Sequence, residues 1–105
     1  MECNKIYTIL VFTRLEEDEH GWPNFGSERL VGYYTDRKIA FDAVKCNACD
    51  INETCYDYAL IEEVEEGLYN AATHRYLFKY NYDKNKYEQI EEPDFMKHFG
   101  GFTIG

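Results

Sequence analysis

The chain has 105 residues, with 20 Asp plus Glu against 11 Lys plus Arg, a formal net charge of −9 with histidine neutral. That length supports one domain spanning residues 1–105, and an apolar content of 45% excludes a disordered acidic tail, which needs low hydrophobicity as well as high charge. The negative balance argues against direct nucleic-acid binding, which needs clustered Lys and Arg, and against docking on an anionic membrane.

In chain order, Ile6 to Leu15 is rich in β-branched and aromatic residues and reads as a strand. Its near-continuous apolarity predicts an interior position in the sheet. The apolar run is too short to span a membrane and lacks the flanks of a signal peptide, so a soluble, cytoplasmic protein is expected. Glu16 to Ser27 reads as a loop that carries four consecutive acids, Trp22-Pro23 and Phe25. Glu28 to Tyr34 reads as a second strand, joined to the first as a long hairpin.

Thr35 is a natural helix N-cap, with Asp36 in the first turn. Ile39, Ala40, Ala43 and Val44 then form a helical stripe, which predicts a helix over 36–47. Asp50-Ile51-Asn52-Glu53 has capping-box spacing and predicts a further short helical turn. Tyr56 to Val64 reads as a strand, with Tyr58, Leu60 and Val64 on one side and Ala59 and Ile61 on the other. Arg75 to Tyr82 and Tyr87 to Ile90 read as a hairpin around the Asp83-Lys84-Asn85-Lys86 turn. Pro93 opens a short C-terminal helix carrying Phe95, Met96 and Phe99.

These elements predict an α+β fold: an antiparallel sheet of four to five strands in ββαββ order, one main helix on one face and a short C-terminal helix. The face away from the helix is expected to show tyrosines. Such a face is either a packing surface or an interface, and a homodimer is one way to cover it.

The candidate chemistries follow from residue type and spacing. Cys46, Cys49 and Cys55, with His74, supply the ligand types of a zinc site, yet the chain lacks a second paired motif. A redox pair is disfavoured, because Cys46 and Cys49 lie at a helix C-terminus, where the dipole opposes a thiolate. Buried reduced thiols, no metal and no cofactor are therefore expected. The histidines are scattered and read as solvated surface groups, with no catalytic signature beside them. The helix start at Thr35, with Arg37 and Lys38 and nearby tyrosines for stacking, could hold a phosphate or sequester a nucleotide, against the opposing charge of Asp36.

The acids are the most distinctive feature. They cluster at Glu16, Glu17, Asp18 and Glu19, at Glu62, Glu63, Glu65 and Glu66, and at Glu91, Glu92 and Asp94. Such clusters either solvate a small protein or dock on the basic surface of a protein partner through steering and complementarity. Trp22 and Phe25, set among the first cluster, either anchor a partner or fold that loop onto the core.

In size, acidic clusters and aromatic content the chain resembles the small acidic proteins of phages and mobile elements of gut bacteria, some of which are anti-CRISPR proteins or other inhibitors of host defence. Thr8 to Val64 is also similar to small uncharacterised ββαββ proteins of Firmicutes. No functional residue carries over from either resemblance. The first implies a non-enzymatic inhibitor of a nucleic-acid-binding defence enzyme, acting by electrostatic and steric occlusion. From the acid clusters and the aromatics set among them, the expected partner-binding residues are Glu16, Glu17, Asp18, Glu19, Trp22 and Phe25, then Glu62, Glu63, Glu65 and Glu66.

Overall fold

A computed structural model describes residues 4–13, 16–17, 23–24, 28–68 and 71–93, with only the backbone of 16–17 and 23–24. The elements run β1 (Lys5–Phe12), β2 (Glu16–Glu17), β3 (Pro23–Asn24), β4 (Glu28–Tyr34), α1 (Arg37–Lys45), β5 (Tyr58–Glu65), β6 (Ala72–Asn81) and β7 (Lys86–Ile90). The fold is α+β. Five strands form one antiparallel sheet in the order β4-β1-β5-β6-β7.

Two expectations about element order change. The main sheet uses two strands before the helix and all three read after it, so the ββαββ order is extended by one strand. The segment read as a loop holds a short ribbon in which Glu16 pairs with Asn24 and Glu17 with Pro23. The C-terminal helix expected after Pro93 lies outside the described residues.

β1 is interior, as its continuous apolarity requires, with β4 on one side and β5 on the other. Period-two alternation divides its side chains between the two faces. On one face Ile9, Val11, Ala59, Ile61, Phe78, Tyr80 and Tyr87 pack with Ala40 and Val44 of α1. Phe41 of the helix meets Tyr76 and Phe78 edge-on, at ring centroid distances of 5.0 and 5.3 Å. On the other face a row of aliphatic partners, Leu30, Leu10, Leu60, Leu77 and Ile90, crosses all five strands. Beside that row Phe12 stacks on Tyr58 at 5.2 Å.

The aromatic face is therefore the helix-covered one, which corrects the expectation of a tyrosine-lined open face. The reason is register. Phe78 stands opposite Ala59, and both share the parity of Val11, so the helix settles over the rings rather than away from them.

The helix starts one residue later than predicted. Asp36, in extended conformation, is the N-cap, and its carboxylate accepts the Ile39 amide at 3.2 Å. Asp caps as well as Ser and better than Thr, and only Asp36 stands three residues before that free amide. The predicted turn at Asp50–Glu53 is replaced by a 3-10 turn, Ala48–Asp50, and a chain of tight turns. Asn47, Cys49, Asp50, Glu53 and Thr54 all take left-handed backbone angles there. Asn52, 3% exposed, organises the segment. Its Oδ1 accepts the Thr54 amide at 2.9 Å, and its Nδ2 donates to the Tyr56 carbonyl at 2.8 Å. The Asn52 amide in turn donates to Asn47 Oδ1 at 2.9 Å. Tyr87 donates to the Tyr56 carbonyl at 2.6 Å and Tyr82 to Asp57 Oδ1 at 2.6 Å, tying the segment to the β6–β7 hairpin. No helix among the described residues is long and apolar enough to cross a membrane.

Candidate functional site

β5 carries two glutamates in succession, so alternation sends Glu62 to one face of the sheet and Glu63 to the other. Both are buried, 3% and 7% exposed, which removes them from any acidic docking surface. The cause is position: β5 is the middle strand, and its neighbours cover both glutamates.

Glu63 gathers groups from β1 and β6. Tyr7 donates its hydroxyl to Glu63 Oε1 at 3.1 Å, and Thr73 donates to Oε2 at 3.1 Å. His74 Nδ1 lies 2.9 Å from Oε2, and Lys5 Nζ stands 3.9 Å from the same oxygen. Burial pushes the Glu63 carboxyl up, but the hydrogen bonds from His74, Thr73 and Tyr7 and the charge of Lys5 outweigh it. Its pKa therefore lies below the ordinary glutamate range. The Tyr7 phenol moves the other way, through burial first and then its bond to the Glu63 carboxylate. All four groups address the carboxylate itself. The arrangement satisfies a buried charge and locks β1, β5 and β6 together.

The other predicted residues are dispersed. Glu65 and Glu66 are exposed at the end of β5, and Glu66 Oε2 accepts from Asn4 Nδ2 at 3.0 Å. Glu16 and Glu17 belong to the β2–β3 ribbon by their backbone. Asp18, Glu19, Trp22 and Phe25 lie outside the described residues. Thr35, Arg37 and Lys38 are exposed at the start of α1, with the Asp36 carboxylate on the amide that a phosphate would need.

Cys46, Cys49 and Cys55 are exposed free thiols, which corrects the expectation of buried ones. They sit on the helix end and the tight turns that follow, outside the sheet's two clusters. His74 is turned to Glu63. Among the described residues no group of three or more His, Cys, Asp or Glu side chains could hold a metal ion.

Sequence reasoning did not single out β4. Leu30, Val31, Tyr33 and Tyr34 are exposed along it, and Ile39 is exposed on α1. Beside the strand lies a groove of about 240 Å³, lined by residues that include Gly32, Tyr33, Tyr34, Ala43, Cys49 and Ile51. It adjoins an open hollow of about 490 Å³ that shares Val31, Cys49 and Ile51 and adds Arg29, Asp50 and Glu53. The available signal was the run Leu30-Val31-Gly32-Tyr33-Tyr34, apolar on both parities, which reads as an interior strand. Among the described residues it is an edge of the sheet. No family model, curated protein or solved structure matches the chain.

Proposed function

We propose that the chain is a non-enzymatic interaction protein that recognises a basic surface on a protein partner and occludes it. The observation that supports this reading is a group of exposed apolar side chains on one edge strand of a strongly acidic chain. Leu30 is 53% and Tyr33 64% exposed, in a chain of net charge −9. Apolar patches rimmed by polar groups mark interaction surfaces, and charge complementarity selects the partner and speeds encounter. The carboxylates proposed to contribute are Glu65 and Glu66, exposed at the end of β5, together with the Glu16-Glu17-Asp18-Glu19 run of the sequence. Inhibition of a nucleic-acid-binding defence enzyme is the form of occlusion that the resemblance to small phage proteins implies. The nucleotide-sequestering alternative on Thr35, Arg37 and Lys38 is less favoured, because Asp36 places a carboxylate at the helix start.

Affinity capture from bacterial lysate at low and high salt tests the reading. The wild-type chain is expected to retain a basic protein at low salt and release it at high salt. Reversal of Glu16, Glu17, Asp18 and Glu19 to lysine is expected to weaken capture and flatten its salt dependence. Capture that is indifferent to both salt and reversal overturns the electrostatic reading.

A further inference from the structure

We propose that the outer edge of β4, with the groove beside it, docks an extended Lys- or Arg-bearing segment of a protein partner, which adds one more strand to the sheet. This deepens the interaction reading and rests on it. β4 ends the sheet, and among the described residues no strand pairs with its outer edge. An edge presents unpaired amides and carbonyls that an extended peptide can satisfy. Natural edges are commonly blunted by proline, lysine, inward-pointing charge or a bulge, and of these β4 carries only the bulge. The opposite edge, β7, carries exposed Lys86 and Gln89. β4 has neither proline nor lysine, and its charges, Glu28 and Arg29, are confined to its first two residues.

Three features shape the edge as a receptor. The first is a bulge: Leu10 pairs with Leu30 and Ile9 with Gly32, so Val31 is left without a partner on β1 and lines both hollows. The second is Gly32, where an added Cβ would meet no atom within 4 Å. The groove beside it is therefore open space that an incoming apolar side chain can fill. The third is the far wall. Cys49, Asp50, Ile51 and Glu53 belong to the segment that Asn52 and its partners hold in place, so little ordering is needed on binding.

Charge selects the occupant. Asp50 and Glu53 line the hollow against a single cation, Arg29, whose guanidinium lies 3.3 Å from Glu53. Glu28 opens the strand; at its other end Asp36 is followed by Arg37 and Lys38, so the acidic attraction is centred on the hollow. A second copy of the chain would bring another charge of −9 to this edge, whereas a basic segment is attracted to it. The segment that fits has apolar side chains at alternate positions, one of them beside Gly32, and basic side chains between them.

The probe is an octapeptide of alternating lysine and valine. Its controls are a peptide of the same composition with the two residues in separate blocks and an alternating glutamate–valine peptide. Amide hydrogen exchange over Glu28–Tyr34 and NMR shifts at Gly32, Cys49 and Ile51 report docking. The lysine peptide is expected to slow exchange at alternate β4 amides, and the controls are not. Gly32→Leu fills the groove and is expected to weaken binding about tenfold, the equivalent of losing one well-buried aliphatic contact. Asp50→Lys with Glu53→Lys, which leaves the groove open, is expected to weaken binding and remove its salt dependence. Binding without protection of β4 overturns the proposal. So does protection that grows with protein concentration in the absence of peptide, which would assign the edge to a second copy. Lysate capture separates this proposal from the broader reading. Capture that survives Gly32→Leu but collapses on reversal of Glu16 to Glu19 overturns the groove and leaves the interaction reading standing.

Discussion

Glu63 shows how far a residue's role can depart from its local appearance. In sequence it belongs to an acidic run; in the sheet it is a buried anion held by Tyr7, Thr73 and His74. Those partners come from strands 56 and 10 residues away along the chain, so no window around Glu63 contains the information. It becomes visible only once the register of β5 against β1 and β6 is known. Glu63→Gln keeps the shape and removes the charge, and is expected to cost about 1–3 kcal/mol at neutral pH in urea unfolding. The folded carboxyl titrates below its unfolded value, so the unfolded chain binds its proton first as pH falls. The stabilisation is therefore complete above the unfolded glutamate pKa and is lost as pH drops through the folded value. The gap between wild type and Glu63→Gln is expected to close on acidification. A gap that stays constant into strong acid contradicts the assignment.

At the scale of the element, the strands were legible because their residues carry intrinsic signals. The β-branched and aromatic runs at 6–15, 28–34, 56–64, 75–82 and 87–90 correspond to the five strands of the main sheet, with shifted ends. The helix was legible from Ile39, Ala40, Ala43 and Val44, although Ile39 proves exposed while Ala40 and Val44 are buried. The stretch from Asn47 to Thr54 was not. Left-handed turns usually announce themselves by glycine, and this stretch has none. It is held instead by short-range bonds of the buried Asn52 to Thr54 and Tyr56 and of Asn47 to the Asn52 amide, with Tyr82 the one distant partner, and asparagine among non-glycine residues is too common a signal to mark such a stretch by itself. The cap assignment is directly checkable. Asp36→Ala is expected to cost about 1 kcal/mol and Asp36→Ser only a few tenths, measured by thermal unfolding. Thr35→Ala is expected to be close to neutral. A larger loss at Thr35 than at Asp36 would return the cap to the predicted position.

For the whole molecule, net charge was legible from composition, but its arrangement was not. The sheet draws two of the predicted docking carboxylates inward and leaves an apolar edge outside. The remaining negative charge repels itself, and raising ionic strength from about 0.01 to 0.15 M shortens the screening length from about 30 to 8 Å. Sodium chloride over that range is expected to stabilise the fold by about 0.5 kcal/mol, or roughly 2–4 °C in Tm. A Tm that falls with salt would mean that attractive ion pairs outweigh the repulsion. The placement of β1 has a further consequence, for the order of assembly. Its pairing with β4 closes a local hairpin, whereas its pairing with β5 must wait for a strand that begins at Tyr58. At a synthesis rate of about 5–20 residues per second, a nascent β1–β4 hairpin stands without β5 for seconds, its apolar residues uncovered. The β1–β5 pairing is likewise a long-range closure, which is expected to limit refolding. Ile61→Val on β5 is accordingly expected to slow folding in a chevron experiment, whereas Tyr87→Phe at the far edge mainly speeds unfolding.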